Sequence, residues 1–317
     1  MSTTLVADIG GTNTRLAIAS RTGRPEHIHT FPNDSVSDLV GAIDAYVAHM
    51  GRIDRRPDGA VLAVAGPVQG RNIVLTNRDW KIDLDAIQQQ FKLRYVRALN
   101  DFEALAWALP WFEPEDVHQL GPALPVRNGT KAVLGPGTGL GVSALIPDGH
   151  SWFALATEAG HMSFGPASED EWEVFARIAE EVPFVSAETI LSGPGLERLY
   201  RAANPGRPAR TAKAIGTAAL AGDAAAVATV ELFMRLLARF AGDIALSFKA
   251  LGGVYVAGGV TAKLHACIDA ELFRKTFVRH PPHTHLLEGI PTFLIRYEEP
   301  GLYGCAASAA DAVGEYS

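Results

Sequence analysis

Short apolar runs alternate along the chain with glycine-rich turns and longer amphipathic stretches. Leu5–Ile9 and Arg15–Ala19 flank the turn cluster Gly10–Asn13, so the chain is predicted to begin with strand, glycine turn, strand. Leu39–Met50 carries apolar residues at helical spacing and predicts a helix.

The alternation continues through the next hundred residues. Gly59–Ala65 and Tyr95–Leu99 are predicted to be strands, and Phe102–Leu109 is predicted to be an amphipathic helix. Pro110–Pro125 contains several prolines, and we interpret it as a connection with a domain boundary near its start.

The strand, glycine turn, strand unit then occurs a second time, where Lys131–Leu134 and Val142–Ile146 flank the turn Pro136–Gly141. This weak internal repeat suggests two related halves. Later, Ala224–Leu251 predicts a long helix that ends at two glycines, and Val254–Ala257 predicts a buried strand. Strands that alternate with helices indicate the α/β class.

The length of 317 residues predicts two domains, at roughly 150 residues per domain. We expect the alanine-rich helix Gly304–Val313 to pack back on the first domain. The predicted small α/β domain therefore comprises 1–110 plus 302–317, and the predicted large α/β domain comprises 111–301.

Composition narrows the function classes. The formal net charge of −7 argues against a nucleic-acid partner, because phosphate backbones are bound by basic surfaces. The two cysteines, Cys267 and Cys305, are too few for a disulfide framework. No signal peptide and no membrane-spanning stretch is recognisable, so we expect a cytoplasmic protein that does not bind membranes.

The glycine turns suit phosphate binding, because glycine lets backbone N–H groups approach a phosphate closely. In the first turn, Gly10 and Gly11 would form the cradle and the Thr12 hydroxyl would add a donor. Asp8 precedes the turn, and its carboxylate suits a hydrated Mg²⁺ carried on the phosphates. The alternative interpretation is a plain hairpin turn with a solvated aspartate.

Two other phosphate-binding motifs are excluded. The chain has no G-x-x-x-x-G-K-[ST] sequence, so it lacks a P-loop. The second turn leads into a strand, whereas a dinucleotide-binding motif requires a helix there. A third cluster at Gly258-Gly259 follows a buried strand and also fits a simple strand-to-helix turn.

Polar residues mark candidate chemistry elsewhere. Asn100 and Asp101 lie between a strand and a helix, where Asn100 suits an N-cap and Asp101 suits a general base. Glu158, His161 and Glu188 lie near glycines and suit recognition of sugar hydroxyls. The competing interpretations are a helix-capping pair, a structural histidine and a solvated helix-start carboxylate.

These motifs together resemble the bacterial ATP-dependent glucokinase family, of the zinc-free group, in the superfamily of hexokinase, actin and Hsp70. The resemblance rests on Val6–Asn13, Leu99–Phe102, Gly135–Gly141, Glu158–His161, Ser186–Glu188, Leu191–Gly195, Val256–Gly259 and Pro300–Leu302. It implies a two-domain actin-like (ribonuclease H-like) α/β fold of the hexokinase type, with a cleft between the domains. It also implies transfer of the γ-phosphoryl group of ATP to the 6-hydroxyl of glucose, in a homodimer.

The resemblance assigns roles residue by residue. Asp101 would be the catalytic base, and the sugar would contact Asn100, Asp101, Glu158, His161 and Glu188. ATP would contact Asp8, Gly10, Gly11, Thr12, Asn13, Gly135, Gly137, Thr138, Gly139, Gly258 and Gly259, with Mg²⁺ held at Asp8 through water.

Two departures from related patterns bear on these roles. The ROK group of sugar kinases carries a cysteine-rich zinc motif soon after the sugar-binding histidine, and 162–173 contains no cysteine, so no zinc is expected. Pro136 replaces a small residue common in the family and removes one backbone donor from the second loop.

Three alternatives remain open at this point. A kinase for mannose or N-acetylglucosamine would use the same loops. A sugar-responsive regulator related to the ROK group would need a DNA-binding segment before the first strand, and we expect no room for one before Leu5. An actin-like ATPase would not need the sugar-contacting set.

Overall fold

The computed structural model describes residues 3–20, 23–50, 57–75, 79–126, 128–149 and 151–315. The chain divides into two compact units. The first unit comprises Met1–Phe112, Asp148–Ala154 and Tyr297–Ser317, and the second comprises Glu113–Pro147 and Leu155–Arg296. Within the described residues, no helix is long and apolar enough to cross a membrane.

The described strands and helices alternate, as the α/β class requires. The strands are β1 (Thr4–Ile9), β2 (Asn13–Ala19), β3 (Pro25–Pro32), β4 (Gly59–Val64), β5 (Asn72–Val74), β6 (Lys81–Asp83), β7 (Tyr95–Asn100), β8 (Val117–Gln119), β9 (Lys131–Pro136), β10 (Leu140–Asp148), β11 (Ser151–Thr157), β12 (Gly253–Val256) and β13 (Thr292–Ile295). The helices are α1 (Leu39–His49), α2 (Leu84–Phe91), α3 (Asp101–Ala108), α4 (Glu169–Glu181), α5 (Ala187–Ile190), α6 (Gly193–Ala203), α7 (Ala212–Leu220), α8 (Ala224–Phe248), α9 (Gly259–Leu264), α10 (Ala270–Phe277), α11 (Thr284–Glu288) and α12 (Pro300–Glu315).

The first unit contains a mixed sheet in the order β3-β2-β1-β4-β7. The strands β1, β4 and β7 are parallel, with Asp8 opposite Ala63 and Val64 opposite Asn100. Because parallel strands end at the same edge of a sheet, the ends of β1 and β7 place Asp8 and Asn100 along one edge. The apolar side chains of β1 and β4 are buried and form the core with α1 and α2.

The second unit contains a sheet in the order β11-β10-β9-β12-β13-β8. The strands β9, β12 and β13 are parallel, and Leu134 lies opposite Val256. The two glycine clusters that follow, at Gly135 and at Gly258, therefore begin at the same edge of this sheet. The helix α8 supplies much of the core against which these strands pack.

Several sequence predictions are confirmed. Both glycine turns connect antiparallel strands, β1 to β2 and β9 to β10, so both are hairpin turns. The third cluster is a strand-to-helix turn, because α9 begins at Gly259.

Other predictions are wrong in detail. Part of the stretch Pro110–Pro125 is the strand β8, which pairs antiparallel with β13. Its residues show no apolar alternation, because β8 lies at the edge of the sheet and is largely exposed. The long helix ends at Phe248 and not at Leu251, because Lys249 adopts a left-handed conformation with φ 47°.

The helix α12 packs against α3, β1 and β4 of the first unit. At Gly304 the two helices are in close contact, because a Cβ atom there would overlap the carbonyl of Ala104 in α3. The side chains of α12 from Leu302 to Ala309 are buried. The helix α12 therefore covers one face of the sheet that contains β1 and β4.

We predict that Gly304→Ala destabilises the protein by ~1–3 kcal/mol, because the added methyl overpacks the contact with α3. Helix propensity alone would instead stabilise it by about 1 kcal/mol. Urea unfolding of Gly304→Ala, with the exposed Ala310→Gly as the control for propensity in α12, measures the difference. An increase in stability for Gly304→Ala would contradict the close packing.

Candidate active site

The first phosphate-binding candidate is the tight turn Gly10–Asn13 between β1 and β2. The Gly10 N–H donates to the Asn13 carbonyl at 3.0 Å and closes the turn. Gly11 and Thr12 at its tip are exposed. The turn therefore presents backbone and a hydroxyl to solvent, as the phosphate-cradle hypothesis requires.

Asp8 lies beside this turn in a largely desolvated position, with its side chain 23% exposed. Its carboxylate lies 3.7 Å from Arg15, and the Arg15 Nε lies 2.8 Å from the Glu299 carboxylate. Burial raises the pKa of Asp8 to about 6, while the Arg15 charge lowers this pKa and the Asp101 charge raises it. Asp8 and Asp101 are thus close enough in the first unit to repel each other.

Asn100 forms a capping box with Glu103 at the start of α3, which confirms the predicted N-cap. Its Oδ1 accepts hydrogen bonds from Phe102 N at 2.9 Å and Glu103 N at 3.3 Å, and its Nδ2 donates to the Gly66 carbonyl at 3.0 Å. Among the residues that the structure describes, the second N–H of this amide has no partner and is available for a ligand contact. The cap fixes Asp101 at the first position of α3, where the helix dipole attracts negative charge.

In the second unit, the turn after β9 packs backbone against backbone on the turn after β12. A Cβ on Gly258, which has φ +94°, would overlap the Pro136 carbonyl, and a Cβ on Gly135 would overlap Ala257. The turn itself is closed by a 2.8 Å hydrogen bond from Gly137 N to Gly139 O. Thr138 at its tip is exposed.

The remaining predicted residues of the second unit gather around the same turn. The Glu188 carboxylate accepts a 2.8 Å hydrogen bond from Leu140 N, directly after Gly139. The Glu158 carboxylate lies 3.8 Å from His161 Nε2, and both side chains are largely exposed. The backbone of Ala187 donates to Met162 O at 2.9 Å, which joins the His161 segment to α5.

An arginine that the sequence analysis did not single out holds this segment in place. Arg239 of α8 donates to Gly165 O at 2.8 Å, lies 3.3 Å from the Glu171 carboxylate and stacks over the Phe164 ring at 4.2 Å. Glu171 in turn accepts from Ala167 N at 2.8 Å. Arg239 is one of four charged residues in α8, with Glu231, Arg235 and Asp243, so nothing in the sequence of this helix singles it out.

A groove of about 690 Å³ adjoins the second turn within the second unit. Gly137, Thr138 and Gly259 line one side, and α7 lines another with Lys213 and Thr217. Its size falls in the range of small-ligand pockets, roughly 300–1,000 Å³. The glycine wall was predictable from the sequence, whereas the contribution of α7 was not.

The donor set suits Mg²⁺ only as a partly hydrated ion. Among the residues that the structure describes, no group of three or more His, Cys, Asp or Glu side chains is arranged to hold a metal ion. Asp8 offers a single carboxylate, and a cation beside it would relieve the repulsion from Asp101. These residues fit a Mg²⁺ that arrives on phosphates and retains most of its water ligands.

Comparison with known proteins gives consistent matches. A family model described as Glucokinase matches residues 5–312. The bifunctional protein glk of Burkholderia orbicola is 39% identical over 99% of this chain, which spans 49% of that protein and thus about half its length. The glucokinase of Sinorhizobium medicae is 38% identical over 96% of this chain and 91% of that protein.

A solved structure supports the fold. The crystal structure of glucokinase from an Antarctic psychrotroph matches with a TM-score of 0.90 and 31% sequence identity, covering 97% of this chain and 98% of that one. The predicted α/β fold of the hexokinase type is therefore confirmed.

The raised pKa of Asp8 predicts a pH-dependent effect of Asp8→Asn on stability. Ionised Asp8 is disfavoured in the folded protein, so above pH 6 its charge costs ~3 kcal/mol, and this cost disappears as the pH falls from 6 towards 4. We therefore expect Asp8→Asn to raise the free energy of unfolding at pH 7 and to leave it unchanged near pH 4.

Urea unfolding at both pH values, with EDTA present, measures this difference. The pH 4 comparison of the same two proteins is the internal control. A variant that is less stable than the parent at pH 7 would contradict the desolvated position of Asp8.

Proposed function

Because the chain belongs to the glucokinase family, we propose that it transfers the γ-phosphoryl group of ATP to the 6-hydroxyl of glucose, giving glucose 6-phosphate and ADP. The observation that carries this proposal is the placement of Asp8 and Asp101 within electrostatic reach of each other in the first unit. One carboxylate beside a phosphate turn and another at a helix start suit two different tasks, cation contact and proton abstraction.

Asp101 is proposed to be the general base. It would accept the proton of the 6-hydroxyl as the oxygen attacks the γ-phosphorus, and the bond from that phosphorus to the β,γ-bridging oxygen breaks with ADP as the leaving group. The capping box at Asn100 holds Asp101 in one position, and such positioning supplies much of the rate in phosphoryl transfer.

The nucleotide is proposed to bind through the glycine turns. The Gly10–Asn13 turn and the Gly135–Gly139 turn would contact phosphates, and the 690 Å³ groove beside Gly259 would take the adenosine. The exposed Lys213 and Lys263 border this groove and would offset the negative charge of ATP. Mg²⁺ on the phosphates would neutralise charge there, with Asp8 as its carboxylate partner.

The sugar is proposed to contact Glu158, His161, Glu188 and Asn100, together with Asp101. Carboxylates, an imidazole and an amide can pair with the donor and acceptor sides of neutral hydroxyls. The bond from Leu140 N to Glu188 links this set to the second phosphate turn. We also propose a role in glycolysis as a cytoplasmic homodimer, for which light scattering after gel filtration tests the dimer.

We predict that Asp101→Asn lowers kcat by roughly 10²–10⁴-fold, because the amide cannot accept the proton. Folding and glucose binding should persist, since asparagine retains the size of aspartate at this helix position. Steady-state kinetics and glucose titration calorimetry measure both effects.

Asp85→Asn is the matched control, because Asp85 is also a first-turn carboxylate of a helix in the first unit. The control should leave kcat unchanged. A near-parental kcat for Asp101→Asn would contradict the role of Asp101 as base.

The choice of sugar is tested separately with purified protein, ATP and a coupled assay of ADP release. We expect the highest kcat/KM with glucose, compared with mannose and N-acetylglucosamine. A higher value with another hexose would reassign the substrate and leave the phosphate-transfer proposal intact. Absence of ADP release with every sugar would contradict the kinase proposal itself.

A further inference from the structure

Asn33 is a buried polar residue with no assigned role. It begins a short 3₁₀ turn after β3 and is 1% exposed. The pairing of β2 with β3 places Asn13 opposite Pro32, so the next residue lies beside the end of the first glycine turn. A buried amide is expected to be fully hydrogen-bonded, so its partners show what it holds.

Three polar groups of Asn33, its backbone N–H and both polar atoms of its side chain, bond to the first turn or its flank. The side-chain Nδ2 donates to Gly10 O at 2.8 Å, and the backbone N–H donates to Thr12 O at 2.8 Å. The Oδ1 accepts a 2.8 Å hydrogen bond from the Thr14 hydroxyl, which is also buried. These bonds attach on both sides of Gly11.

The bonds determine which backbone atoms face the solvent side of the turn. The carbonyl oxygens of Gly10 and Thr12 point towards Asn33. A phosphate is repelled by carbonyl oxygens and bound by N–H groups, so a turn whose carbonyls are held inward is prepared for an anion. Holding that conformation before binding reduces the ordering cost when the ligand arrives.

We propose that Asn33, together with Thr14, is a positioning residue that holds the Gly10–Asn13 turn in its phosphate-binding conformation. This inference rests on the proposed function in so far as that turn binds the phosphates of ATP. Asn33 touches neither substrate in this role and acts through the backbone of the turn. The same bonds would serve only stability if the turn bound nothing.

Thr14→Val tests the proposal with little change in shape, because the hydroxyl is replaced by a methyl group of similar size. The expected result is a rise of about tenfold in the KM for ATP, the size of effect that loss of one buried hydrogen bond produces. The KM for glucose should stay within twofold of the parent. Thr14→Ser retains the hydroxyl and should restore the KM for ATP.

Thr4→Val is the matched control. Thr4 is buried in the same sheet, and its hydroxyl lies 2.8 Å from the Tyr95 hydroxyl, with which it forms a hydrogen bond. Thr4 is at the opposite end of β1 from the turn. This variant loses a partly buried hydrogen bond of the same length and should lower stability without changing either KM. Asn33→Ala is the stronger test, provided that its circular dichroism matches the parent.

Direct binding separates failure of this inference from failure of the proposed function. Calorimetry with ATP and with adenosine should show weaker ATP binding in Thr14→Val and unchanged adenosine binding. Equal losses for ATP and adenosine, equal rises in both KM values, or lower stability with unchanged ATP affinity would each overturn the positioning role. If the parent phosphorylates no sugar, the proposed function fails, yet the ATP and adenosine comparison still decides the role of Asn33.

Discussion

The second unit depends on one steric constraint, the direct contact between the backbone after β9 and the backbone after β12. No side chain fits at Gly135 or Gly258, because a Cβ atom at either position would overlap the neighbouring chain. The contact joins the second glycine turn to the start of α9. The groove wall and the Glu188 contact both adjoin these strand ends, so a nucleotide candidate and one sugar candidate share the same support.

In the first unit, the edge that carries the candidate site is governed by electrostatics. Asp8 and Asp101 lie close together at a poorly solvated edge, and Arg15 is shared between Asp8 and Glu299. Such an arrangement disfavours the ionised state in the free protein and favours the arrival of a cation. The charge of Asp8 thus lowers the free energy of unfolding at an edge where it would contribute to ligand binding. Such a trade-off between stability and function is common at functional sites.

How much of this could be read from the sequence depended on the range of each interaction. The glycine turns and the Asn100 capping box are local patterns, so their spacing was sufficient. The edge strands β3 and β8 were missed because largely exposed strands carry no apolar alternation. Arg239 and Asn33 act on residues 74 and up to 23 positions away, and only the folded register shows which backbone groups they reach.

The packing of α12 has a consequence for synthesis of the protein. The sheet of the first unit is complete in sequence at Asn100, whereas its covering helix begins at Pro300, so 200 residues separate them. At about 5–20 residues per second, translation leaves the apolar surface later covered by α12 open for about 10–40 s. During this interval the nascent chain presents that surface to chaperones or to other chains. A chain truncated before Pro300 would never cover it, so C-terminal truncation is an aggregation hazard.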